Sequence, residues 1–307
     1  MTSGACDAPN ASMVPSRDGV GPSCVALPSG PWASVAEFLA QRLPSVSHGE
    51  WLERMAHGDV LDEQGRPIPP EAAYRPQSKA YYYRSVPHET PIPFKEVVVF
   101  QDDYLVVADK PHFLPVTPSG RYVQETLLVR LKRKLGIDTL SPVHRIDRDT
   151  AGLVLFTIQP STRGAYQALF RDRCVIKHYE AIAPWHAELS LPLVRCSRLK
   201  EMDGPAFMQM QEVPGEPNAQ TGVDLIEQQG LLARYRLSPV TGQKHQLRAH
   251  MAALGIPILN DLIYPHLYPD APPDHSKPLQ LLAKSLAFTD PVTGQARQFE
   301  SQLRLQF

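Results

Sequence analysis

The sequence predicts an α+β protein of two domains, and three observations carry that prediction. The chain has 307 residues, which suits about two domains. Its apolar content is 43%, ample for a core. Between Arg84 and Phe94 lie Pro87, Pro91 and Pro93. They spell an extended linker, with helical patterns before it and mostly short strand patterns after it.

Charge and composition narrow the function classes. The formal net charge is -1 and the pI about 6.8, a poor match to a protein that holds nucleic acid by bulk charge. Any nucleic-acid contact must come from local basic patches. Cys6, Cys24, Cys174 and Cys196 show no Cys-x-x-Cys spacing, so they spell neither a zinc set nor a disulfide framework, and a reducing compartment is expected. No apolar run approaches the ~20 residues of a membrane span. No basic start followed by an apolar stretch marks a signal peptide. The cytoplasm is the expected location.

Residues 1–30 are rich in Ser, Pro, Gly and Ala without hydrophobic period, which predicts a mobile tail. A small domain is expected over 31–86. Val35, Phe38, Leu39 and Leu43 recur at helical spacing, and Pro44 ends the run. Ser47 or His48 opens a second helix to Ala56, closed by His57-Gly58. Asp59-Val60-Leu61 and Gly65-Arg66-Pro67-Ile68 suggest a strand, a turn and a strand.

Residues 87–93 form the linker, and the larger domain spans 94–307. Glu96 to Gln101 and Leu105 to Asp109 read as strands joined by Gln-Asp-Asp-Tyr. Glu125 to Gly136 is an amphipathic helix with Leu127, Leu128, Leu131 and Leu135 as its stripe. Its Arg130, Lys132, Arg133 and Lys134 are either a solvated face or a phosphate contact. Ser161 to Arg173 reads as a helix with a Ser or Thr N-cap. The strand Ile176 to Ala181 follows, with Lys177 and Tyr179 on one face. Further strands are expected over 193–199, 206–211, 221–227 and 231–237. The five prolines between Pro265 and Pro278 predict a long surface loop.

The most informative stretch is Ser141 to Thr157. His144 to Thr150 is dense in charge, and Gly152 to Thr157 is an apolar run that reads as a buried strand. Two acids and two arginines at 145–149 are either a solvated turn or a site that holds one carboxylate ready for chemistry. His245 and His250 could suggest a metal, but no third ligand converges with them. They are expected as capping or hydrogen-bonding residues.

His144-Arg145-Ile146-Asp147, followed by Thr150-Ala151-Gly152-Leu153, resembles the signature loop His-Arg-Leu-Asp-x-x-Thr-Ser-Gly-Leu of the RluA-type RNA pseudouridine synthases. Other segments resemble that family in order. Asp109-Lys110-Pro111 through Val116 is similar to Asn-Lys-Pro-x-Gly-x-x-Val, with Asp109 and Phe113 differing. Lys177-x-Tyr179-x-Ala181 resembles the second motif. Thr241 to His250, Gly255-Ile-Pro-Ile258 and Asn260-Asp261-x-x-Tyr264 resemble the third, with Gln243 replacing an Arg and Asn260 a Gly. The order helix, helix, Gly-Asp-Val, turn, strand in residues 31–86 resembles an S4-type RNA-binding domain, although Glu50, Glu53 and Arg54 stand where a basic helix would.

The resemblance implies a mixed, largely antiparallel β-sheet with flanking helices and a central cleft. It implies isomerisation of uridine in RNA, with no cofactor and no metal. Asp147 would be the catalytic carboxylate, Arg248 would pair with it, and Tyr179 would stack on the target base. His144, Arg145, Thr150, Gly152, Lys177 and Leu247 would border the RNA. A ribosomal RNA target, a transfer RNA target and a monomeric enzyme are the expectations. A non-catalytic RNA-binding protein on the same fold and a carboxylate-dependent glycosidase are the rivals.

Overall fold

The computed structural model describes residues 14–84, 86, 89–203, 208–268 and 274–307. The chain divides into two compact units. One comprises Met1–Glu89, Ser119–Gln124 and Val129–Asp138, and the other Thr90–Pro118, Glu125–Leu128 and Thr139–Phe307.

The amino-terminal unit contains β1 (Ser23–Leu27), α1 (Val35–Arg42), α2 (His48–Ala56), β2 (Val60–Leu61) and β3 (Ser78–Tyr82). Its sheet has the order β1-β3-β2, with both pairs antiparallel. The helical period holds because Val35, Phe38, Leu39, Trp51 and Met55 all turn into one core with Val60 and Ala80. Ser34 caps α1 by accepting the Glu37 N–H at 3.1 Å. Ser47 and Glu50 close a capping box on α2, so the Glu50 carboxylate serves its own helix.

Two expectations fail in this unit. The described part of the expected tail is ordered: Val14, Val20 and Leu27 are buried, and Ser23–Leu27 pairs along its whole length with β3. A strand needs only alternate residues inward, and Val25 and Leu27 supply them within a polar stretch. The strand expected at 65–68 is reduced to one Leu61–Pro67 bridge. The second partner of the sheet lies later, at β3. Proline lacks the N–H that would extend the ladder.

The larger unit contains β4 (Val97–Gln101), β5 (Leu105–Lys110), β6 (Ser141–Pro142), β7 (Ala151–Thr157), α4 (Arg163–Arg171), β8 (Ile176–Pro184), β9 (Leu193–Glu201), β10 (Met210–Val213), β11 (Ala219–Gln229), β12 (Leu232–Pro239), α5 (Gln246–Ala253), β13 (Leu281–Thr289) and β14 (Ala296–Glu300). The predicted amphipathic helix is α3 (Leu127–Leu135). Of the strand expected over 206–211, residues 206 and 207 lie outside the described residues, and β10 begins at Met210. Thr162 stands at the start of α4 but makes no capping bond there. Its hydroxyl instead donates to the Gln159 carbonyl.

The sheet order is β10-β9-β11-β12-β8-β13-β7-β5-β4, with β14 on β13 and β6 on β7. Among the described residues the β13–β7 pair is parallel and the others are antiparallel. β7 is buried along its full length, which explains its unbroken apolar run. Leu153, Val154, Leu155 and Phe156 are each fully buried, at ~1.5–3 kcal/mol per side chain. One sheet face packs on α5: Leu247 and Met251 share a core with Ala181, Ala183, Val223, Tyr235 and Leu237. α4 adds Tyr166 to the Leu153, Leu155 and Phe288 cluster.

Candidate active site

The charged loop lies between β6 and β7, and its neighbours hold it mainly by its backbone. The Val143 N–H donates to the Leu155 carbonyl at 2.9 Å. The fully buried Lys110 donates from Nζ to the carbonyls of Pro111 and Arg148, both at 2.9 Å. Burial pulls the Lys110 ammonium down to about 7, against the upward pull of Asp149 and Asp147. His112 donates from Nδ1 to the Asp149 carbonyl at 2.7 Å. The loop can therefore carry charged side chains without its own regular structure, because β5 and the residues after it satisfy its carbonyls.

His144, expected at the RNA, is turned to the scaffold instead. Its Nε2 accepts the Leu155 N–H at 3.2 Å, and its ring stacks on Phe170 with centroids 4.4 Å apart. Burial holds its pKa down to about 3, with a smaller contribution from Lys177. An imidazole whose lone pair accepts a backbone proton must be neutral. Gly152 is likewise structural. Its φ is +110, and a Cβ there would lie 2.3 Å from the Ala283 carbonyl oxygen on β13. Only glycine lets the two strands approach so closely at that angle. Thr150 is buried, and Leu247 sits in the α5 core. Arg145 is exposed. Lys177 reaches the Thr241 carbonyl at 3.4 Å, and burial lowers its pKa.

The two acids of the loop part company. Asp149 is taken by the neighbouring Arg148, Nε to Oδ1 at 2.8 Å. Asp147 meets Arg248 of α5, Nη1 to Oδ2 at 3.1 Å, and keeps 28% of its side chain exposed. Arg248 itself is 2% exposed and forks onto Asp261, which is fully buried, at 2.7 and 2.8 Å. Burial opposes the guanidinium charge, but the bonds and charge of Asp261, then those of Asp147, more than offset it and raise its pKa. Asp261 also accepts the N–H groups of Ile263 and Tyr264 on Oδ1. Arg248 is thus a bridge between a structural carboxylate and a half-open one.

Tyr179 lies on β8, opposite Leu237 of β12 and Ala283 of β13, and packs against the α5 core. Burial raises its pKa, and the negative charge of Asp147 adds to the rise. The hydroxyl therefore stays protonated at neutral pH. That suits a stacking ring better than a base.

Sequence reasoning quoted Asp261 and Tyr264 as motif letters and gave them no role. Of the two roles expected for His245, capping or hydrogen bonding, it takes the second: its side chain caps nothing, and its Nδ1 lies 3.3 Å from the Tyr264 hydroxyl. Its Nε2 stands 3.8 Å from Asp147 Oδ2. Gln246 closes the turn instead, accepting from Thr241 Oγ1 and the Gln243 N–H and donating to Gln220 and Thr221. His250 bonds to Thr221 and Ser197, well away in partners from His245. Asn260, which stands where the resembled motif has a glycine, takes φ +64, a region asparagine tolerates, and ties the turn by donating to the Pro278 carbonyl at 3.0 Å.

Residues 104–253 match the RNA pseudouridylate synthase family. The chain is 32% identical over 206 residues to the dual-specificity RNA pseudouridine synthase RluA of Haemophilus influenzae, covering 67% of this chain and 92% of that one. It is 34% identical over 181 residues to the mitochondrial tRNA pseudouridine(32) synthase of Saccharomyces cerevisiae, covering 58% and 39%. Among solved structures, human RNA pseudouridylate synthase domain containing 4 aligns with TM-score 0.54 at 26% identity, over 67% of this chain and 88% of that one. Human domain containing 1 aligns with TM-score 0.56 at 20% identity, over 67% and 83%. The fold is thus that of the pseudouridylate synthases, a mixed and mostly antiparallel sheet with few helices. Within that class the chain belongs to the RluA-type RNA pseudouridine synthases, and it is an isomerase acting on RNA.

Proposed function

We propose that Asp147 is the catalytic carboxylate and that Tyr179 and Arg248 complete the site. In the isomerisation the bond from uracil N1 to the ribose carbon breaks, the ring turns, a C5 bond to the same carbon forms, and the C5 proton leaves while N1 takes one up from solvent. Uracil departs as an anion while positive charge develops on the ribose. A carboxylate beside that carbon opposes the charge or attacks it. The observation that carries the assignment is the unequal bridge at Arg248: Asp261 takes its fork and Asp147 only one corner. The guanidinium orients Asp147 while another carboxylate balances its charge. Tyr179 receives the extruded base, a contact worth ~1–3 kcal/mol.

The test is tritium release from C5-labelled uridine in RNA. Asp147→Asn keeps the shape and loses the charge, so it should bind RNA as the parent does and release nothing. Asp149→Asn should retain most activity, because its carboxylate is occupied by Arg148. Equal release from parent and Asp147→Asn would end the assignment. No release from the parent on any RNA would favour the non-catalytic rival.

For the target we propose ribosomal RNA, 23S in particular, with transfer RNA as the second reading. The S4-like order of residues 31–86 favours the first; among the relatives one is called dual-specificity and another is named for a tRNA position, which supports the second. Mapping pseudouridine in total RNA with and without the gene decides which uridines depend on it.

A further inference from the structure

This inference rests on the reading of Asp147 above. Among the described residues, both polar neighbours of that carboxylate fall on one oxygen. Arg248 Nη1 lies 3.1 Å from Oδ2, and His245 Nε2 lies 3.8 Å from the same atom. His245 is the residue just before α5, at φ +52 in the left-handed region, with its side chain 11% exposed. A non-glycine residue holds that conformation only where its surroundings insist on it.

The hydrogen bonds around Tyr264 favour one imidazole tautomer. The Met210 N–H donates to Tyr264 Oη at 2.6 Å. Burial raises the Tyr264 pKa to about 12, so the hydroxyl keeps its single proton. That proton is left for His245 Nδ1, 3.3 Å away, and the two rings meet edge to face. Nδ1 is then the acceptor. A neutral imidazole has one N–H, and this arrangement puts it on Nε2, the nitrogen that faces Asp147. Burial favours the neutral ring, and Arg248 and Lys244 push the same way against Asp147 and Asp261.

We propose that His245 is a positioning residue: its Nε2–H, assigned by Tyr264, joins Arg248 in holding Oδ2 and so presents Oδ1 to the ribose carbon. At 3.8 Å the contact is electrostatic. A shift of under about 1 Å brings it to hydrogen-bond length, as such contacts tighten around bound substrate. No bond to His245 is made or broken in the reaction. Its effect is on which carboxylate oxygen meets the substrate, so it belongs to the rate on bound RNA and not to affinity.

The test has two independent arms. Nitrogen NMR of the full chain with labelled histidine, assigned by the signal lost in His245→Gln, should show His245 protonated on Nε2. Single-turnover tritium release should be measured on ribosomal and transfer RNA transcripts carrying C5-tritiated uridine. His245→Ala should lose about tenfold in rate, the lower end for a bond to a charged group, with unchanged affinity. His245→Gln, whose amide N–H can reach the same oxygen, should recover most of that loss. A proton on Nδ1, or a Gln variant as slow as Ala, would overturn the proposal. If the parent releases no tritium, the catalytic reading of Asp147 fails, and the NMR arm still decides the tautomer.

Discussion

The bridge at Arg248 makes a quantitative prediction about stability. Take Arg248→Met, which keeps the apolar length and deletes the guanidinium. Asp261, fully buried and held at 2.7 and 2.8 Å, is left as an unpaired charge. Losing one partner of such a pair costs about 3–5 kcal/mol. Asp147 is 28% exposed and bonded through one nitrogen at 3.1 Å. Water replaces that partner, and the contribution is ~0–1 kcal/mol. At ~2–4 °C per kcal/mol for a unit of this size, Arg248→Met should melt about 6–20 °C below the parent. The cost should be reversible at one site and not the other. Arg248→Met with Asp261→Asn removes the stranded charge yet keeps an amide oxygen for the Ile263 and Tyr264 N–H groups, so it should recover half the loss or more. Arg248→Met with Asp147→Asn should recover under about 1 kcal/mol. Urea unfolding of the parent, the single variants and both doubles gives the two coupling energies. Equal recovery by both second changes, or strict additivity at Asp261, would refute the assignment of Asp261 as the main anchor.

Two further outcomes follow from the site. The His144 pKa falls from 6.5 to about 3 on folding, so the unfolded chain binds the extra proton between those values. The stability His144 contributes is whole above about pH 6.5 and drains away as pH falls toward 3; His144→Gln should flatten that acid limb in urea titrations run from pH 4 to 7, and an unchanged slope would contradict the neutral, Leu155-bonded ring. At Tyr179, Phe should preserve RNA binding and Ala should weaken it by the ~1–3 kcal/mol of a lost stack; equal loss in both variants would assign the work to the hydroxyl.

Much of this was legible in the chain itself. The buried strand of β7 follows from its unbroken apolar run, and α1, α2 and α3 follow from their helical periods, because those signals are local. The motif letters pointed to Asp147, Tyr179 and Arg248, and the fold does bring Asp147 and Arg248 into contact. Tertiary structure decided how they are held. Asp147 and Arg248 are 101 positions apart, and nothing local says that Arg248 has a second, stronger carboxylate thirteen residues on. His144 reads as a polar residue in a charged loop, but stacking on Phe170 and a strand N–H makes it part of the scaffold. Gly152 reads as the first residue of a buried strand, and only the approach of β13 shows why a side chain cannot stand there. The amino-terminal stretch looked too polar to order, yet β3 offered its edge to Ser23–Leu27. In each case composition and period report what a segment does with its own neighbours. Charge balance, tautomer and close approach depend on partners that the fold alone brings within a few ångströms.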